Sequence, residues 1–493
     1  MVGTVPRTVA LFLLAFALSC GGGAGSGSQA QRSPKKERAD RSGPTPSSAA
    51  AGTTPDASTT VTWKIVVSKD LTLDERVCWS GLQARRVIPE MTSAFPFVKA
   101  TRDDGSAIAF DAYGAPVEGT NGCINLAVDL KRGAATLADE AALTKSGDAV
   151  YGSLDIWLWR PEPWPEGLRG RLVIETPPEI SVSLPFSRDA EGAYSVPYSA
   201  WKMMARAAIG KLTLETIDVA GAKIDVALLP NAAPNTTRPG IRRFLEGAAT
   251  AVATLDGKMP AGRVQVLLRP GGGGWRSDPV RFGMAMRGGG STVMMLVSSA
   301  ATDAQLYGEW IGVHELSHLW LPPIDQEASW LPEGFASYYQ CVLRSRVGMY
   351  DEKSAWDELL SGFDRGRSQA GRLPLKSAQR PSFMHIYWGG AAIMLKLDVD
   401  LRKGGSSLDA VVAKTRREHP ADDDDPSLDE LIARLSKAAG KDLKTSIDAW
   451  LEVPFPDTSA ELKDLGVVRR GGKIFLDDSA PLAKARVGIA GKR

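Results

Sequence analysis

Hydrophobic residues in the first half of the folded chain fall in short runs that alternate with polar residues. Such alternation places successive side chains on opposite faces of a strand, so these runs predict β-structure. Glycine and proline recur between the runs, as they do in tight turns. We therefore expect a β-sandwich or open sheet at residues 61–235. The runs behind this expectation are VTWKIVV, CINLAVDL, SLDIWLWR, RLVIETP, KLTLETIDV and AKIDVALLP.

The second half of the chain mixes helical and strand patterns. Residues 238–259 have hydrophobic positions at helical spacing, and the apolar run RVQVLLRP that follows them predicts a strand. Residues 280–299 predict two strands joined by glycines, and residues 340–452 are mostly helical in pattern. The sequence thus predicts a multidomain α+β protein. Beyond the β-rich domain we expect a mixed domain at 236–400, a helical region at 401–460 and a C-terminal hairpin with a tail at 461–493.

The N-terminus has the pattern of an export signal. Arg7 precedes an apolar run at residues 9–18, which is too short to span a bilayer, and a small residue then precedes Cys20. This pattern predicts a signal peptide at 1–20 of the bacterial lipoprotein type, with Cys20 as the lipidated residue; a plain secretory signal is the alternative. Residues 21–60 are rich in Gly, Ser, Ala, Pro and Thr and predict a disordered tether. We expect a membrane-anchored protein of the bacterial cell envelope, facing the periplasm or the cell surface.

Composition and charge narrow the class of partner. The chain is 43% hydrophobic and 24% charged, as globular proteins are, and its net charge of +2 gives no reason to expect nucleic acid or an acidic membrane surface as a partner. Two of the four cysteines, Cys78 and Cys123, lie in the β-rich region. Since the protein is expected to be exported, a disulfide between them is predicted; two buried free thiols are the alternative.

The segment IGVHELSHLW carries the chemistry that suggests a function. His314 and His318 are four residues apart, so on a helix they lie on one face and can bind one metal ion together. Glu315 lies beside them and can reach a water at that ion. Glu333, 15 residues after His318 in WLPEGFASYY, can supply a third ligand. Two imidazoles, one carboxylate and an open position are typical of a catalytic zinc site for one Zn²⁺ ion.

These motifs resemble those of the gluzincin metallopeptidases. HELSH followed by WLPEGFASYY, and later IYWGGAA, is similar to the aminopeptidase N and glycyl aminopeptidase families. The resemblance implies a thermolysin-like zinc domain at 236–400 behind an N-terminal β domain. It also implies that Glu333 is the third ligand and that Tyr387 stabilises the oxyanion.

The chain departs from the family pattern at three places. The substrate-binding strand of the relatives contains a G-x-M-E-N motif, whereas here Gly283 begins GMAMR, without the acid that grips a free N-terminus. Arg287 in this segment would face a carboxylate or carbonyl of the substrate, or would be a solvated turn residue.

Only 14 residues separate His318 from Glu333, and they include Asp325 and Glu327 as alternative carboxylates. Gln340 stands where relatives often have an acid. His385, two residues before Tyr387, would contact substrate or be a structural histidine.

The function predicted from these residues is zinc-dependent hydrolysis of peptide bonds in peptide or protein substrates. Glu315 acts as the general base and Tyr387 as a hydrogen-bond donor to the oxyanion. A zinc hydrolase of a non-peptide bond on the same scaffold is one alternative. A tethered binding protein without catalysis is the other. The sequence does not decide between exopeptidase and endopeptidase action, and it gives no oligomeric state.

Overall fold

A computed structural model describes residues 58–137, 142–202, 205–271, 278–324, 328–379, 381–420 and 425–492 of the chain. The predicted signal peptide with Cys20 and nearly all of the predicted tether lie outside the described residues. Asp325 and Glu327 lie outside them as well. Within them, the mixed α+β class expected from the sequence is confirmed, with several sheets and many helices.

The N-terminal part is β-rich, as its alternating pattern predicts. In the first strand every second residue is buried, so one face covers a core and the other meets solvent. Seven strands form one sheet in the order β13-β11-β1-β2-β7-β4-β5, and smaller sheets follow the orders β12-β14-β9-β8 and β10-β3-β6. The strands are β1 (Thr60–Val67), β2 (Thr72–Ser80), β3 (Arg86–Ile88), β4 (Val98–Thr101), β5 (Ala107–Ile108), β6 (Ala115–Pro116), β7 (Gly122–Asp129), β8 (Leu143–Ser146), β9 (Ala149–Ser153), β10 (Arg160–Glu162), β11 (Gly170–Glu175), β12 (Ser181–Ser183), β13 (Tyr194–Val196) and β14 (Arg206–Gly210). The short helices here are α1 (Leu130–Thr136) and α2 (Ser199–Lys202).

A disulfide joins two neighbouring strands of the large sheet. Cys78 on β2 and Cys123 on β7 are paired directly across the strands and are bonded to each other. The bond closes a loop with a sequence separation of 45 residues, so it restricts the unfolded chain of this domain.

A second sheet, of five strands, lies beside the candidate site. Its order is β15-β16-β17-β19-β18, with β18 at one edge. Its strands are β15 (Thr213–Val219), β16 (Ala222–Leu228), β17 (Arg263–Pro270), β18 (Val280–Met286) and β19 (Ser291–Val297). From their alternating pattern, residues 213–228 were expected in the β-rich domain at 61–235, but β16 pairs in parallel with β17, so these strands belong to the second sheet.

Helices cover one face of this sheet and continue to the C-terminus. They are α3 (Arg238–Ala253), α4 (Asp303–Tyr307), α5 (Ile311–Ser317), α6 (Trp330–Arg346), α7 (Glu352–Ala370), α8 (Phe383–Lys403), α9 (Leu408–Glu418), α10 (Leu428–Ala439), α11 (Lys444–Leu451), α12 (Ser459–Leu465) and α13 (Ala483–Ala490). The expected hairpin is present as β20 (Val467–Arg470) and β21 (Lys473–Leu476), which turn at Gly471 and Gly472. Among the described residues, no helix is long and apolar enough to cross a bilayer.

Candidate metal centre

The two histidines of the motif lie at the end of a short buried helix. Every residue of α5 is buried, and α5 packs against α3, α6 and β18. The sequence predicted one helix over 303–320, but the structure interrupts it after α4, and α5 ends at Ser317. His318 begins a single 3-10 turn that reaches Trp320. The rings of His314 and His318 nevertheless remain neighbours, with their centroids 4.9 Å apart.

The third group comes from the first turn of α6. The Glu333 carboxylate oxygen Oε2 lies 3.3 Å from Nε2 of His314 and 3.7 Å from Nε2 of His318. One ligand atom from each of the three residues lies within 4.8 Å of the others. The structure therefore brings together the three residues that the sequence analysis selected as ligands.

This donor set fits zinc in chemistry and in size. Two imidazole nitrogens and one carboxylate oxygen are a known ligand set of catalytic zinc. Ligand atoms at about 2.0–2.1 Å from a tetrahedral zinc ion are about 3.3–3.4 Å apart, and the distances from Glu333 to the two histidines are 3.3 and 3.7 Å. His314, His318 and Glu333 would thus be the residues that hold a zinc ion.

The charges of the three groups depend on one another. Burial alone would raise the pKa of Glu333, but the hydrogen bond with His314 and the charges of both histidines lower it below its ordinary value. Burial alone would lower the pKa of His314, but its hydrogen bond with Glu333 and the nearby carboxylates raise it. Burial lowers the pKa of His318 to about 4. The negative charge of Glu333 opposes this shift, whereas the positive charges of His314 and Arg287 add to it.

Glu315 lies between the histidines and the edge strand β18. Its side chain is 7% exposed, and its carboxylate accepts a hydrogen bond from the backbone N–H of Ala285. Burial raises the pKa of Glu315 to about 7, and the charge of Glu333 adds to the effect while His314 opposes it. A Cβ atom on Gly283 would lie 2.5 Å from Cγ of Glu315, so only glycine allows this approach. Gly283, predicted to bind substrate, therefore makes room for the predicted base.

Tyr387 reaches the same cluster from α8. Its ring stacks on that of His314, with centroids 5.8 Å apart and an angle of 9° between the planes. Its side chain also hydrogen-bonds to Glu333. A close crossing of α6 and α8 sets the distance between Glu333 and Tyr387. At this crossing Gly334 of α6 lies against Gly390 of α8.

Arg287 is placed differently from either expectation. Its side chain is buried, so it is not a solvated turn residue, and its donors are used within the protein. Nη2 donates to the carbonyl oxygen of His318 at 2.5 Å and to that of Leu321 at 3.0 Å. These carbonyls lie where the helical turn ends; that of His318 also accepts the backbone N–H of Leu321 at 3.2 Å. Arg287 thus ties the end of β18 to the segment that carries His318, and it is not aimed at a substrate.

The contacts behind His314 were missed by the sequence analysis. Nδ1 of His314 lies 2.7 Å from Oε1 of Gln340, and Gln340 in turn contacts Glu358 on α7. The sequence showed an amide at 340 where an acid was expected, but nothing in it linked that amide to residue 358. His385 is a structural histidine, because its Nε2 lies 2.6 Å from the carbonyl oxygen of Pro454.

This chain resembles known proteins in its three-dimensional fold, but its sequence matches no protein family. No protein-family model matches the sequence, and no curated protein matches it. Among solved structures, an aminopeptidase N family protein from Idiomarina loihiensis aligns with 83% of this chain and 79% of its own, at 16% identity and a TM-score of 0.61. An M1 zinc metallopeptidase from Deinococcus radiodurans, solved with a Tyr-Ser-Ala substrate, aligns with 81% of this chain and 95% of its own, at 15% identity and a TM-score of 0.48. The chain therefore has the fold of an aminopeptidase N family protein.

Proposed function

We propose that this protein is a zinc-dependent metallopeptidase that hydrolyses peptide bonds through a single Zn²⁺ ion. One observation carries the proposal: His314, His318 and Glu333 place three ligand atoms within 4.8 Å of one another, next to the buried carboxylate of Glu315. Three ligands and an adjacent base form the minimal set for metal-assisted hydrolysis. The fold shared with an aminopeptidase N family protein supports the same reaction class and a thermolysin-like arrangement around the site.

The reaction follows from the positions of the side chains. His314, His318 and Glu333 would hold the zinc ion, which would supply polarisation of the scissile carbonyl and a more acidic water. Glu315 takes a proton from the attacking water and passes it to the leaving amine. Tyr387 donates a hydrogen bond to the oxygen that becomes negatively charged. Its hydroxyl is already close to the cluster through its contact with Glu333.

The edge strand β18 is proposed to bind the substrate backbone. It is the outer strand of its sheet, and an extended peptide can add to such an edge through main-chain hydrogen bonds. The strand runs beside the proposed base, since Gly283 touches Glu315 and the N–H of Ala285 hydrogen-bonds to it. Residues 280–286 contain no acidic residue, so this strand offers no carboxylate to a free substrate N-terminus. We therefore propose that cleavage does not require that N-terminus.

The proposed location is the bacterial cell envelope, with Cys20 as the lipid-bearing residue of a membrane anchor. The support is the order of the N-terminal sequence: a positive charge, a short apolar run, a small residue and then Cys20. Expression of Cys20→Ser tests it, because loss of the lipid should move the protein from the membrane fraction to the soluble fraction. A variant that stays in the membrane fraction would contradict this assignment.

The activity is tested by zinc content together with digestion of a peptide library in which half of the peptides have blocked N-termini. The wild type should bind one zinc ion and cleave blocked and free peptides. Glu315→Gln should keep the zinc and lose turnover, whereas His318→Ala should lose both. Zinc binding without peptide cleavage would favour a non-peptide hydrolase, and a protein without zinc would refute the proposal. Turnover by Glu315→Gln at the wild-type rate would contradict the role of this base.

A further inference from the structure

The edge strand β18 lies between α5 and the N-terminal domain, which comprises β1–β14. On the side of α5, a Cβ atom on Gly283 would lie 2.5 Å from Cγ of Glu315. On the other side, Met286 belongs to a buried apolar cluster together with Tyr151 of β9 and Ala208 of β14. Successive residues of a strand point to opposite faces, so β18 can contact both neighbours. The N-terminal domain therefore packs against the face of β18 that lies opposite the proposed base.

A row of buried polar side chains crosses the second sheet on this face. Thr292 of β19 pairs with Gln265 of β17 on one side and with Met286 of β18 on the other. The hydroxyl of Thr292 donates to Oε1 of Gln265 at 2.8 Å. Nε2 of Gln265 in turn donates at 2.9 Å to Oγ of Ser183, which lies on β12 of the N-terminal domain. All three side chains are buried, so water competes little for these bonds, and the row connects the N-terminal domain to the strand that pairs with β18.

The turn between β18 and β19 also packs against the N-terminal domain. A Cβ atom on Gly290 would lie 2.3 Å from the carbonyl oxygen of Pro185. A Cβ atom on Gly289 would lie 2.2 Å from Cε1 of Phe186. The first obstacle is a backbone atom and the second is a fully buried ring, so neither moves aside easily. The N-terminal domain thus sets the position of the turn, and with it the end of β18.

We propose that the N-terminal domain holds β18 in the position at which a substrate backbone can pair with it. Two contacts do this: the buried row of Ser183, Gln265 and Thr292, and the packing of the β18–β19 turn on residues 185–186. The members of the row are positioning residues, because they act on the substrate through β18. The inference rests on the proposed function, in which β18 binds the peptide backbone, whereas the bracing of the strand does not depend on that function.

Loss of this bracing should weaken substrate binding more than it slows the reaction. A peptide that adds to an edge strand binds through main-chain hydrogen bonds, each of which contributes about 2- to 10-fold to affinity. These bonds hold the substrate and the transition state alike, so their loss raises KM and leaves kcat nearly unchanged. A role in stability alone would change neither constant in a protein that is still folded.

Two variants disturb the bracing at different points. Thr292→Val keeps the shape of the side chain and removes the hydroxyl that donates to Gln265, and Thr292→Ser is its matched control, since it keeps that hydroxyl. Gly290→Ala has to move the turn, because its new Cβ must go from 2.3 Å to the 3.0 Å limit, a shift of about 0.7 Å away from Pro185. The control for this change is Gly262→Ala, just before β17 in the same sheet, where a Cβ atom would meet nothing within 4 Å among the described residues.

Two measurements on the full-length protein decide the proposal. The first gives KM and kcat for an octapeptide blocked at both ends, and the second is amide hydrogen exchange of residues 280–286, read by mass spectrometry. We expect Thr292→Val and Gly290→Ala to raise KM by about 2- to 10-fold at a kcat close to that of the wild type, and to speed exchange in β18. Thr292→Ser and Gly262→Ala should match the wild type in both measurements. Urea unfolding of each variant shows whether it is folded under the assay conditions.

The proposal is overturned if both variants keep the KM of their controls, or if both keep the exchange rates of their controls. It is also overturned if kcat falls at an unchanged KM, because the contacts would then act on Glu315 and not on the substrate backbone. Since the two variants act at separate points, one that does not fold leaves the other to decide. A wild type that cleaves no peptide would refute the proposed function, while hydrogen exchange would still test whether the N-terminal domain holds β18.

Discussion

The crossing of α6 and α8 sets the distance between the third ligand and the proposed oxyanion donor. Gly334 directly follows Glu333, and Gly390 lies one turn after Tyr387 on α8. A Cβ atom on Gly390 would lie 2.0 Å from the carbonyl oxygen of Trp330 and 2.8 Å from Cα of Gly334, distances that real Cβ atoms do not show. Both obstacles are backbone atoms, so no side-chain rotation relieves them. Gly390→Ala therefore has to move one helix relative to the other.

The size of that movement follows from the same contact. To bring the new Cβ from 2.0 Å to the 3.0 Å limit, α8 and α6 must move apart by about 1 Å at this crossing. Such overpacking costs about 1–3 kcal/mol, and the better helix propensity of alanine returns about 1 kcal/mol. A misplacement of about 1 Å at a catalytic group can cost about 100-fold in rate. Tyr387 lies on α8, whereas the three proposed zinc ligands lie on other elements. We expect kcat to fall by up to about 100-fold while zinc affinity changes much less.

The matched control is Gly389→Ala, on the same helix and with the same gain in helix propensity. A Cβ there would meet the end of the Leu375 side chain at 2.8 Å, and that side chain can rotate away. The assay compares kcat, zinc affinity and unfolding by urea for the two variants and the wild type. Gly389→Ala should stay close to the wild type in kcat. Equal kcat values for the two variants would refute the claim that this crossing positions Tyr387.

Three other properties of the chain can be measured directly. Burial raises the pKa of Glu75 well above its ordinary value of 4.5, so the folded state keeps a proton that the unfolded state loses. The stability should therefore fall as the pH rises above about 4.5, by at most about 1.4 kcal/mol per pH unit from this group, and Glu75→Gln should remove that part of the slope in urea unfolding at several pH values. An identical slope in both proteins would contradict the assignment. Replacing both Cys78 and Cys123 with serine opens a loop with a sequence separation of 45 and should lower the free energy of unfolding by up to about 4 kcal/mol; an unchanged urea midpoint would count against the bond. Gly283→Ala places a methyl group 2.5 Å from Glu315 and should lower kcat while zinc content stays the same, and an unchanged kcat would show that the strand can yield.

Local patterns were enough to predict the parts of the site that depend on local geometry. Four-residue spacing on a helix brings His314 and His318 together whatever the rest of the fold does. Alternation of apolar and polar residues predicted β1, where burial follows the pattern residue by residue. The resemblance in WLPEGFASYY selected Glu333, and the structure places it beside both histidines. In each of these cases the information lies within a few residues of the position concerned.

Strand pairing and burial of charge depend on distant segments, and there the sequence was a poor guide. β15 and β16 have the same alternating pattern as the strands before them, so the pattern does not tell which sheet they join. The parallel pairing of β16 with β17, on the other side of α3, decides it. Arg287 would be expected at the surface because a buried guanidinium needs several acceptors. The carbonyl groups of His318 and Leu321 supply them, since the helical turn ends there.

The electrostatic environment of the proposed metal ligands is the property of the site that is hardest to predict from the motif. The sequence shows an amide at Gln340, and taken alone this suggests that His314 has lost the acid behind it. The structure returns an acid to the same hydrogen-bonded chain from α7, 18 residues further along. Because Arg344 donates to Glu358 and a carboxylate only accepts, the NH2 group of Gln340 faces Glu358 and its side-chain oxygen faces Nδ1 of His314. The group behind His314 is therefore a neutral amide, which polarises the imidazole less than a carboxylate in direct contact would. The orientation of that amide depends on Glu358 and Arg344, which no residue of the motif reveals.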